Sequence, residues 1–369
     1  MSLIKVKSRG TDNVSGRRNL IINGAMQIFQ RATAATQVDN SYNTVDRFRA
    51  YKNGGAYTTE KSTDNPFGTG SSLKAQVTTA DTSMAAGEYA FINHEIEAQD
   101  LQHLLYGTSS AKNVTLSFWV KSNKTGIYTV GVYKHANGAT AYMYRKEYTI
   151  SSANTWEKKE FTISPTAGST TFMTSSGGAI ANNNGNGFGI SFNLALGSNF
   201  HGTNDAWAAD AKYGTSNQVN WMDNTSNNFY ITQIQLEVGD SASDFEHRSF
   251  AEELQLCQRY FQRTSSGGQV YFAVGHVWSS TLCQFQHTFP TRMRAHPSIS
   301  TSGTITNLSM QSPVNVSSTS IDDYSGSGYT KGHVIKFNGN MSSSGYNTGY
   351  ACALLLNSNG AYIQFDAEI

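Results

Sequence analysis

The segment His94-Glu95-Ile96-Glu97-Ala98-Gln99-Asp100-Leu101-Gln102-His103 gathers ligand-type side chains densely enough to raise the question of a metal site. A helical zinc site of the His-Glu-x-x-His kind needs a second histidine four positions after the first, and that position is Ala98. The segment therefore reads as a polar strand and turn. Asp205, Asp210 and Asp223, or Asp322 with Asp323, carry calcium-type oxygens, but none has the fixed ligand spacing of an EF-hand loop. Glycan cleavage needs two carboxyl groups set on either side of the scissile bond, and no motif surrounds the sparse acids here. The nucleophile-elbow pattern Gly-x-Ser-x-Gly and the phosphate loop Gly-x-x-x-x-Gly-Lys-Ser/Thr are both absent. Gly185-Asn186-Gly187-Phe188-Gly189 enters a strand instead of leaving one for a helix, so it is a turn. Cys257, Cys283 and Cys352 form no CxxC pair, and their odd number argues for buried free thiols over a disulfide framework. The expectation is a protein that is not an enzyme and has no catalytic, metal or cofactor site.

Composition then bounds what such a protein meets. Charged residues make up 14% of the 369-residue chain, against roughly 25% in ordinary soluble domains. Gly, Ser, Thr, Asn and Tyr supply the polar surface instead, which suits strands, turns and sugar contacts. A net charge of +1 gives no field to draw in nucleic acid or an acidic membrane. No run approaches the ~18 apolar residues needed to cross a bilayer. Residues 1–10 lack the apolar stretch of a signal peptide, so synthesis in the cytosol without membrane insertion is expected. The length implies two domains.

The elements that must position any binding surface are mostly strands. Leu116, Phe118 and Val120 alternate with Ser117, Trp119 and Lys121, and Phe188, Ile190, Phe192, Leu194 and Leu196 alternate with small or polar residues. Residues 127–133, 142–150, 156–163 and 229–238 read as further strands, separated by Ser-, Asn- and Gly-rich turns. Many short strands of this kind imply an antiparallel β-sandwich. A long loop between Leu196 and Phe229 holds Trp207, Tyr213 and Trp221, whose rings either stack on a sugar, meet a neighbouring subunit, or lie buried over their own sheet.

One helix is expected from Ser249, because Ser249-Phe250-Ala251-Glu252 has capping-box spacing and Glu252 and Glu253 fall in its positive first turn. Gly267-Gly268 is the expected stop. Phe250, Leu254, Cys257 and Phe261 would form one apolar stripe, packed either on the chain's own domain or around a symmetry axis. Beyond it, residues 270–278, 282–289, 334–337, 350–356 and 361–365 read as strands of a smaller sandwich. Its loops are rich in Ser, Gly and Tyr around Tyr324, Tyr329 and Tyr346, a mixture that suits recognition.

Residues 19–31 (NLIINGAMQIFQR) with 44–48 (TVDRF), and residues 235–239 (QLEVG) with 245–261 (FEHRSFAEELQLCQRYF), together resemble a module of tailed-bacteriophage tail fibres and related virion proteins. The strand order also resembles jelly-roll carbohydrate-binding modules, with residues 115–121 (TLSFWVK) and Trp156 in the matching places. The resemblance implies a virion structural protein on the tail or capsid surface: a short tail fibre or receptor-binding protein, a homo-oligomer and by implication a homotrimer, that attaches to the host. A capsid decoration or head-fibre protein is the alternative, and a free carbohydrate-binding module or glycan depolymerase a third.

The expected organisation is a basic arm at 1–18 that anchors to other virion proteins, a jelly-roll sandwich at 19–248, a connecting helix at 249–266 and a distal β-domain at 267–369. Candidate ligand contacts are Trp207, Trp221, Tyr324, Tyr329 and Tyr346, for a host-surface glycan. Candidate oligomer contacts are Phe250, Leu254 and Phe261.

Overall fold

Phe188, Ile190, Phe192 and Leu194 sit on one face of a strand, as their alternation requires, and all four are fully buried. The intervening Gly189, Ser191, Asn193 and Ala195 are buried too, because a loop folds over the strand's other face. The computed structural model describes residues 18–309, 315–323, 334–341 and 347–369. It divides into two compact units. The first holds the described residues up to Gln27, then Ala34–Asn43 and Phe48–Arg248, and the second holds Ile28–Thr33, Thr44–Arg47 and Ser249–Ile369.

The first unit contains, in chain order, β1 (Ala34–Thr36), β2 (Phe48–Asn53), β3 (Ala56–Ser62), β4 (Ser72–Thr79), β5 (Tyr89–Glu97) and β6 (Val114–Ser122). It continues with β7 (Gly126–Lys134), β8 (Tyr142–Ile150), β9 (Glu157–Ile163), β10 (Asn186–Leu196), β11 (Ala206–Ala208) and β12 (Asn228–Val238). Two six-stranded antiparallel sheets result, ordered β1-β3-β4-β12-β6-β9 and β11-β8-β7-β10-β5-β2. Their inner faces interdigitate. Phe118 of β6 meets Tyr148 of β8 and Phe192 of β10 edge-on, each at 5.2 Å, while Tyr128 of β7 lies 5.9 Å from Phe229 of β12. Each ring buried this way contributes about 1.5–3 kcal/mol, with up to roughly 1.5 kcal/mol more from edge-to-face geometry.

The first sequence phrase is a structural clasp in this unit. Asn19 Oδ1 accepts the backbone N–H groups of Ile21 and Leu236, its Nδ2 donates to the Ile234 carbonyl, and its backbone N–H donates to Glu246 at 2.8 Å. Arg248 donates to the carbonyls of Ile21 and Asn19. Gly24 lies so close to β12 that an added Cβ would stand 2.1 Å from the Ile234 carbonyl oxygen. Arg18, the one described residue of the basic arm, donates to Glu246 and Asp244, while the rest of the arm lies outside the described residues.

The second unit opens with α1 (Phe250–Gln258), whose capping box forms as expected: Glu252 N–H donates to Ser249 Oγ and Ser249 N–H to Glu252 Oε2. The helix ends well short of the glycines. From Phe261 the chain joins a three-stranded sheet, ordered β13 (Phe261–Ser265), then β21 (Tyr362–Asp366), then β16 (Ser298–Ser302). The expected stripe therefore does not form. Phe250 is 60% exposed, Leu254 is half-buried, Phe261 is buried in β13, and the helix buries Glu253 and Cys257.

The remaining strands, β14 (Val270–Ser279), β15 (Leu282–Thr288), β17 (Ile305–Ser309), β18 (Asn315–Asp323), β19 (Val334–Met341) and β20 (Ala351–Leu356), close into a barrel ordered β14-β15-β19-β18-β17-β20. In the smaller β-domain expected here, one sheet thus closes on itself, around an interior that includes Val277, Phe285, Phe337 and Leu354. The Ser- and Thr-rich stretch 300–309 supplies parts of β16 and β17. All three cysteines are buried free thiols.

Segments 28–33 and 44–47 belong to this unit through a buried ionic cluster. The Arg31 guanidinium lies 3.6 Å from the centre of the Phe261 ring and 3.1 Å from Asp366, and that of Arg47 3.4 Å from the centre of the Tyr260 ring and against Glu368. Asp46 is fully buried 3.7 Å from Arg31 and accepts from Gln30. Burial pushes its carboxyl up to about 6, against the pull of Arg31 and the Gln30 hydrogen bonds.

Candidate functional site

Period two assigns the residues of β5 to opposite faces of their sheet. His94 points inward, fully buried with its ring 4.9 Å from Phe48, and Phe91, Asn93 and Glu95 point outward. Register carries this outer face across the sheet. One row runs Arg49, Asn93, Ser191, Gly131; another runs Tyr51, Phe91, Asn193, Thr129; a third runs Glu95, Gly189, Tyr133.

Aromatic planes form one end. Tyr51 stacks on Phe91 at 4.7 Å, and Tyr213, brought over by the loop after β10, stacks on Phe91 at 5.0 Å. That loop is pinned by Arg145 to Asp210 at 2.7 Å, and by Asp205, which accepts from Tyr144 and Lys146 at 2.6 Å. Polar groups form the middle. Glu95, 4% exposed, accepts from Asn93 Nδ2 at 2.7 Å and pairs with His135 Nε2 at 2.9 Å. Gly189 makes room for this pair, since a Cβ there would lie 3.1 Å from the Glu95 carboxylate and 3.3 Å from His135.

Arg49 donates to Tyr51 Oη at 2.7 Å and to Asn40. Burial works against its charge, but Tyr42, Tyr51 and Glu95 outweigh that and hold its pKa above the ordinary arginine value. Among the described residues, Ser191 Oγ and Asn193 Oδ1 end buried with no hydrogen-bond partner. Beyond His135 the face runs into a cleft of about 400 Å³, lined by residues 135–137 and 183–186. Phe91, Asn93, Glu95 and Asn193 are at most 5% exposed, so what this face can offer a polyhydroxylated ring is the half-buried Tyr51, Tyr133 and Tyr213 rings with the polar ends of Arg49 and His135.

The two tryptophans expected to contact a ligand do not present a face to one. Trp207 lies in β11, 2% exposed, with Nε1 donating to the Ser164 carbonyl and its ring 5.4 Å from Tyr144. Trp221 is fully buried, edge-on to Tyr57 at 5.9 Å. The long loop buries them against its own sandwich and offers Tyr213 instead. Tyr324, Tyr329 and Tyr346 lie outside the described residues. Asp205, Asp210 and Asp223 are each taken by a different cation, respectively Lys146, Arg145 and Lys124. Among the described residues no three His, Cys, Asp or Glu side chains gather as a metal would require, and no helix is long and apolar enough to cross a membrane.

The sequence matches no protein-family profile and no curated protein. Among solved structures, the enzymatically active domain of tailspike protein 4 of bacteriophage CBA120 is similar at 12% identity and a TM-score of 0.31, over 60% of this chain but only 21% of that one. A putative sugar-binding protein of Bacteroides thetaiotaomicron is similar at 12% identity and 0.34, over 60% of this chain and 100% of that one. A family 11 carbohydrate-binding module from a Clostridium thermocellum cellulase gives 15% identity and 0.30, over 58% and 96%. At these TM-scores the likenesses carry no argument.

Proposed function

We propose that this chain is a non-catalytic virion structural protein of a tailed bacteriophage, a short tail fibre or receptor-binding protein, that binds a host-surface glycan on the outer face of the β2-β5-β10-β7 sheet. The observation that carries the binding half is the pairing of the Tyr51–Phe91–Tyr213 stack with the Asn93–Glu95–His135 chain, stacking planes next to hydrogen-bonding groups on one rigid sheet. The virion half rests on the two sequence phrases, as does assembly as a homotrimer with other virion proteins. Recognition is thereby assigned to the first unit.

The test is adsorption of particles carrying Tyr51→Ala or Tyr133→Ala. Each is expected to weaken host binding about tenfold or more, with the protein still incorporated and host polysaccharide left at its original length. Shortened polysaccharide would establish a depolymerase. Unchanged adsorption by both variants would remove the face from the reading, and localisation on the head in a map of the intact particle would make the protein a capsid decoration.

A further inference from the structure

Large hydrophobic side chains exposed among the described residues gather on one strand of the barrel. Tyr271, Val274 and Trp278 of β14 are 63%, 68% and 59% exposed. Register puts them on one face. Ala273 and Val277 point into the barrel, so Val274, His276 and Trp278 point outward, and a bulge between Tyr271 and Ala273 packs Phe272 on the core while Tyr271 stays with the outward set. The His276 and Trp278 rings lie 6.1 Å apart. The strip is about 20 Å long at the usual rise per residue.

Charge is cleared from around it. β14 and the two strands beside it, β15 and β20, contain no Asp, Glu, Lys or Arg. Across the barrel the outward rows run Val274, Gln286, Lys336 and His276, Gln284, Asn338, so amides come next to the strip and the first charge along these rows stands two strands away, about 10 Å at the usual strand spacing. A lone exposed hydrophobe needs no explanation, but aromatic rings on a rigid sheet with no charge near them have the make-up of an interface centre.

The missing charge also narrows what can cover the strip. Copies of one chain around a rotation axis set each residue near its own image, where a charged side chain would meet its like. An uncharged strip escapes that repulsion. A different protein imposes no such condition and is ordinarily recognised through complementary charges. At the usual size of such side chains the three expose on the order of 400 Å², about half of what a stable interface covers on each partner, and His276, Gln284 and Gln286 extend it as a polar rim.

We infer that the outer face of β14 is where copies of this chain meet, Tyr271, Val274 and Trp278 of each packing against the same strip of the next around their common axis, an inference that rests on the homo-oligomer reading above. It replaces the helix contact expected from Phe250, Leu254 and Phe261, of which only Phe250 is exposed.

The experiment is sedimentation of the full-length protein over a concentration series, with Val274→Glu, Trp278→Asp and, as comparator, Phe250→Asp. All three sites are more than half exposed, so the substitutions leave the interior alone, and far-ultraviolet circular dichroism checks that each variant is folded. The native chain should sediment as an oligomer. Val274→Glu and Trp278→Asp, which set carboxylates beside their own images, should each raise the concentration of half-dissociation about thirtyfold or more, the loss typical of a central contact, while Phe250→Asp keeps the native mass. Should Val274→Glu fail to fold, Trp278→Asp decides alone. Native mass in the β14 variants, or dissociation by Phe250→Asp alone, overturns the strip and leaves the homo-oligomer reading standing. A native chain that is monomeric at every concentration overturns both, and if Trp278→Asp then lowers glycan affinity, the strip is a sugar contact instead.

Discussion

His94 and Glu95 are neighbours in sequence with opposite surroundings, one closed against Phe48 in the sandwich and the other on the outer face with His135. Alternation along β5 would have separated them, but nothing local could bring His135 to Glu95, because that pairing depends on β7, β10 and β5 lying side by side. Asp46 is a second residue whose chemistry is set by distant partners. Its carboxyl is raised from an ordinary 3.8 to about 6, so the folded chain takes up a proton that the unfolded chain does not bind until about pH 4. Stability of the second unit should therefore rise as pH falls from 6 to 4, by about 1–3 kcal/mol, and be lost again as pH rises through 6. Hydrogen exchange in β13 and β21, corrected for intrinsic rates, measures this, and Asp46→Asn should flatten the dependence. Stability of these strands that falls steadily on acidification in the native chain would count against the assignment.

At the scale of elements, the strands written in period two were legible: β6, β7, β8, β10 and β12 fall where alternation placed them. The helix start was legible too, because the capping box is local chemistry. Replacing Ser249 by Ala should cost about 1 kcal/mol of stability in the second unit, readable as a drop in denaturation midpoint with unchanged slope. The helix end was not legible, since what stops α1 is the pairing of Phe261 with Asp366, more than a hundred residues on. Trp207 and Trp221 were misread for a related reason: a tryptophan in a polar loop looks like a contact residue until the loop is known to fold back on its own sheet. The Asn19–Gly24 segment shows what the recognisable phrase does in the fold. Gly24→Ala should destabilise the first unit by at least about 2 kcal/mol, because the new methyl group overlaps a backbone oxygen that cannot move without breaking β12 pairing. A melting curve superimposable on that of the native protein would show that β12 yields more easily than its pairing suggests.

For the whole molecule, both phrases serve folding: their N-terminal parts clasp the first unit and their C-terminal parts build the ionic cluster of the second. Residues that serve folding in this way carry no information about what the proposed face would bind. Glu368 tests this separation. Its carboxylate lies against Arg47 and 3.3 Å from Arg31, and the side chains of both arginines are at most 7% exposed. Glu368→Gln removes the carboxylate that lies against the buried Arg47 guanidinium and one of the three around Arg31, a loss that costs about 3–5 kcal/mol. Every residue of the proposed face belongs to the first unit. Calorimetry of the full-length variant should show the second unit's transition moving to lower temperature with the first unit's in place, and glycan affinity measured below both transitions should match the native protein. If the whole chain melts in one displaced transition and binding weakens with it, the face depends on the ionic cluster and the two functions of the chain are not separable.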